Sequence, residues 1–67
     1  MADLLQQARD IAADQYIRLQ MKNPNSNHGA AYWGAHVQAY AGHLRSGSFD
    51  SNLEVQTALA ALRSVAA

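Results

Sequence analysis

The chain has 67 residues and a mass of 7.3 kDa, and 49% of it is hydrophobic. Fourteen of those apolar residues are alanine, so the sequence can build one small core at most and is marginal as an isolated fold. The lack of cysteine excludes disulfides and thiolate sites, and five basic residues balanced by five acidic ones exclude the positive excess with which proteins grip nucleic-acid phosphates.

The first segment, roughly residues 3 to 22, is rich in Ala, Leu, Gln and Arg and free of Gly and Pro, which predicts a helix. Asp3 stands where a cap is needed, and Gln6, three residues on, is placed to reach back to it. Asp10 and Asp14 precede Arg18 and Lys22, an order that suits the helix dipole, and Asp14 and Arg18 have ion-pair spacing. Leu4, Leu5, Ala8, Ile11, Ala12, Tyr16 and Leu19 form the expected core face. Ile17 and Met21 fall outside it, four residues apart, and form a second apolar patch that suggests an interface. Asn23 before Pro24 ends the helix.

The second segment, roughly residues 28 to 46, is helical by period even though Gly29, Gly34 and Gly42 each cost about 1 kcal/mol relative to alanine. Trp33, Val37, Tyr40 and Leu44 make its core stripe. Ala30, Gly34 and Ala41 flank that stripe, which predicts close approach of a neighbouring helix at Gly34. On the other flank stand Tyr32, His36 and His43, where Tyr32, His36 and Tyr40 could form a hydrogen-bonded strip. Ala31, Ala35, Gln38 and Gly42 form a small outer face that adds to the expected interface.

The third segment, roughly residues 51 to 66, opens on Ser51-Asn52-Leu53-Glu54, the pattern of a capping box. Val55, Ala58, Leu59, Leu62 and Val65 follow at helical spacing. Phe49, alone in the preceding polar turn, is expected to plug the end of the core. These elements predict a single all-α domain over residues 1 to 67, either a small three-helix bundle or a helical hairpin with a third helix across it. The expected core is Leu5, Ile11, Leu19, Trp33, Val37, Tyr40, Leu44, Phe49, Leu59 and Leu62.

Three histidines raise a metal hypothesis, which the spacing opposes. His36 and His43 are separated by about 10.5 Å of helix rise, whereas ligands of one zinc ion must converge to within about 4 Å. A metal or haem site through His36 or His43 therefore requires two subunits, and no cofactor is expected within one chain. No nucleophile motif, phosphate loop or carboxylate pair is present, so an enzyme is not expected. The basic residues are dispersed, which disfavours a nucleic-acid-associated regulator. No apolar run approaches the roughly 18 residues of a membrane span, and the start lacks a signal-peptide pattern, so the expected location is cytoplasmic. The sequence reading is thus a protein-binding module, homodimeric by expectation, with Ile17, Met21, Tyr32, His36 and His43 as its candidate interface.

Overall fold

A computed structural model describes residues 3–23 and 29–66. Among them are three helices: α1 (Leu4–Lys22), α2 (Ala30–Ser46) and α3 (Leu53–Ala66). The expected His28 and the turn around Pro24 lie outside the described residues.

Each helix end has an identifiable cause. At the start of α1 the Asp3 carboxylate accepts from the Gln6 backbone N–H at 2.7 Å, which satisfies one orphan donor of the first turn. The Gln6 amide does not complete the box. Its Nε2 donates instead to Asp10 and to the Arg45 carbonyl, tying the start of α1 to the end of α2. That end is a Schellman turn: Gly47 has φ +92°, its N–H donates to the Leu44 carbonyl, and the Ser48 N–H donates to the His43 carbonyl. Helix α3 begins one residue later than the Ser51 box implies. Asn52 occupies the position before Leu53, its carbonyl accepts from Gln56 N–H, and its side chain donates to the Tyr40 hydroxyl rather than capping the helix.

The architecture is a small three-helix bundle in which α1 is the shared element. Both α2 and α3 pack along α1 and scarcely meet each other. Trp33 reaches the Gln20 carbonyl, Tyr40 stacks on Tyr16, and the Gly47 turn lies against Arg9, so α2 runs antiparallel to α1. Leu4, Leu5, Ile11 and Leu62 pack on a cluster that holds Ala8, Ala12, Val55, Ala58 and Leu59, which places α3 over the N-terminal part of α1. The helices are therefore staggered. The molecule is 44 Å long, although the 19 residues of α1 account for only about 28 Å. Its radius of gyration of 13.1 Å exceeds the roughly 11 Å of a compact domain of this length.

The core centre differs from the expected one in three respects. Val37, Leu44 and Leu59 are buried, but the closest packing is made by Ala8, Ala12, Ala13 and Ala41, not by Gly34. A side chain built at Gly34 would meet nothing within 4 Å. Trp33 is half-buried at the edge, with Leu5, Ile11, Tyr40, Phe49 and Leu62 also half-buried. Leu19, expected in the core, is 62% exposed, because α3 does not extend along α1 to its level. Phe49 does fold back onto the cluster, with its ring 4.9 Å from Tyr40 and 5.5 Å from His43.

Candidate interaction surface

The stagger divides the molecule into two ends of different chemistry. At the N-terminal end of α1, a polar clamp fixes the turn between α2 and α3. The Arg9 guanidinium donates to both oxygens of Asp50, at 2.8 and 2.6 Å, and its third nitrogen donates to Gln6 Oε1. Gln56 closes the same turn from α3 by donating to the Asp50 carbonyl. The fork-like pair is the strong geometry for arginine and carboxylate. The hydrogen bond from Arg9 holds the Asp50 carboxyl below the ordinary range, against a smaller opposing effect of burial. The same bond raises Arg9. A second pair, Arg45 with Asp14 at 3.2 Å, joins α2 to α1, so Asp14 pairs across helices rather than with Arg18.

At the opposite end, apolar side chains remain in contact with solvent. Leu19 continues the Ala8, Ala12, Tyr16 stripe by one turn, past the part of α1 that α3 covers. Tyr16 stacks on Tyr40 at 4.3 Å, so this stripe borders the Tyr40 edge of α2. Trp33 and His36 occupy the same edge, at i−7 and i−4 from Tyr40, and their rings lie 5.4 Å apart. Tyr16 and Tyr40 thus bridge the two helices, Trp33 reaches the Gln20 carbonyl one turn further along α1, and Leu19 stands in solvent at that level. Burial pushes the Tyr16 hydroxyl above its ordinary pKa, with smaller contributions from Tyr40 and Glu54.

The expected interface residues do not form one patch. Tyr32 is 58% exposed and Met21 is 47% exposed, and His36 and His43 are both exposed. Ile17 is different. It is half-buried against the core cluster, because α2 and α3 approach α1 on two different faces and the buried arc of α1 is wider than one stripe. It therefore does not pair with Met21 as an exposed patch. The Tyr32, His36, Tyr40 strip also takes another form: His36 stacks on Trp33, and the Tyr40 hydroxyl is occupied by Asn52. Ala31, Ala35, Gln38 and Gly42 do form an exposed outer face of α2.

Sequence reasoning missed two features. Leu19 was indistinguishable from a core leucine, since its period is correct and only the reach of α3 exposes it. The other was visible in the sequence: from Gln15 through Phe49 there is no acidic residue. By helical spacing Lys22 lies next to Leu19 on the side of α1 away from Tyr16, and Arg18 lies further round that side. Neither is in an ion pair among the described residues.

Among the described residues no group of three His, Asp or Glu side chains is placed to hold a metal, and no helix is long and apolar enough to cross a membrane. Every buried side-chain polar atom described has a partner, so no orphan group marks a ligand. Compared with protein-family models, curated proteins and solved structures, the chain has no significant match in any of the three.

Proposed function

We propose that this chain is a small non-enzymatic protein-binding module, acting as an adaptor, assembly factor or inhibitor. One observation carries the reading. The fold leaves Leu19 62% exposed on the part of α1 where the half-buried Trp33 reaches the Gln20 carbonyl. Interfaces are enriched in tryptophan and tyrosine at their centres, and Tyr16, Trp33 and Tyr40 stand at this end of the molecule. The chain's small size supports the narrower form of this reading, a homodimer, because a second subunit would add the burial that 67 residues lack.

Affinity capture from a lysate of the source organism tests the reading, with Leu19→Glu, Met21→Glu as the matched control. A stoichiometric protein retained by the native chain and lost from the variant is the expected result. Equal recovery from both would remove this surface from the interaction. Analytical ultracentrifugation of the pure chain tests the homodimer: a single species near 7.3 kDa at tens of micromolar would rule it out.

A nucleic-acid-associated role is the second reading, favoured by the acid-free stretch from Gln15 to Phe49. It has fewer cations to use than the composition suggests. Arg9 and Arg45 are held by Asp50 and Asp14, which leaves Arg18, Lys22 and Arg63 outside any ion pair among the described residues. At most three phosphate contacts correspond to a shallow salt dependence and weak binding.

A further inference from the structure

We draw no further inference here: the strongest candidate, the exposed apolar surface around Leu19 on the C-terminal part of α1, carries nothing, because nothing in the structure shows what covers it.

Discussion

The two halves of α1 are built from similar residues yet have different neighbours. From Leu4 to Ala13 the helix is clasped on two faces, by α2 and the Gly47 turn on one and by α3 on the other, and Ala8, Ala12 and Ala13 have no exposed surface. From Arg18 to Lys22 it meets Trp33 of α2 at the Gln20 carbonyl, and Leu19 and Met21 stand in solvent. The first half has what a stable fold requires: small residues that let helices approach and an ion pair that fixes the connecting turn. The second half leaves Leu19 and Met21 exposed instead. Local propensity is equally good in both, so the difference arises from tertiary reach rather than from helix formation.

The sharpest way to break the clasped half is Leu44→Ala. Among the described residues Leu44 is the largest fully buried side chain, ahead of Val37 and Val55, and such truncations cost about 2–5 kcal/mol. A chain of this length has only about 3–10 kcal/mol of total stability at 0.05–0.15 kcal/mol per residue. The variant is therefore expected to be largely or wholly unfolded in urea titrations at 25 °C. A loss below 1 kcal/mol would show that the two faces of α1 do not share one core.

Two glycines give effects of opposite sign. Gly47 sits at φ +92°, and a side chain built there meets the Arg9 guanidinium at 2.9 Å. Gly47→Ala is expected to cost about 1–2 kcal/mol from the left-handed backbone, and more because Asp50 holds Arg9 in place. Gly34 lies inside α2, where an added methyl meets nothing within 4 Å. Gly34→Ala is expected to stabilise the fold by about 0.4–1 kcal/mol through the unfolded chain. Both are read from thermal midpoints, and a destabilised Gly34→Ala would mean that the outer side of α2 is covered in solution.

The clamp makes the clasped end sensitive to acid. Because Asp50 is held below its ordinary range in the fold, its contribution is fully present above the unfolded pKa and is lost as pH falls below about 4. Native protein and Asp50→Asn are expected to differ in thermal midpoint at pH 7 and to converge toward pH 3. A difference independent of pH would assign the effect to packing of the turn rather than to the carboxylate charge.

The sequence announced what depends on nearby residues. Asp3 caps α1, the turn after Ser46 ends α2, Phe49 folds back on the cluster, and Val37, Leu44 and Leu59 are buried. Features that depend on where a distant segment lies were not legible. Arg9 and Asp50 are 41 residues apart, and nothing local marks them as a pair. Ile17 falls outside the main stripe of α1, yet a helix with neighbours on two faces buries more than one stripe. Gly34 suggested close packing, but alanines on α1 and Ala41 provide it. For the candidate surface, the absence of carboxylates from Gln15 to Phe49 was readable, whereas the exposure of Leu19 was not.

The smallest expected effect on stability separates the two halves most directly. Leu5→Ala and Leu19→Ala make the same chemical change on the same helix. Leu5 is half-buried against the core cluster, whereas Leu19 is 62% exposed. Leu19→Ala removes little buried surface and places a better helix former in α1, so its effect should stay within about 0.5 kcal/mol. Leu5→Ala should cost more, at or below the low end of the roughly 2–5 kcal/mol range for buried leucines because it is only half-buried. Hydrogen exchange should follow the same order, with the amides of residues 8–13 protected to the global limit and those of residues 18–22 exchanging through local opening. Equal costs and equal protection would mean that the C-terminal part of α1 is covered in the free protein. A Leu19→Ala chain that is as stable as the native one but has lost its partner would place that residue's role in binding, not in the fold.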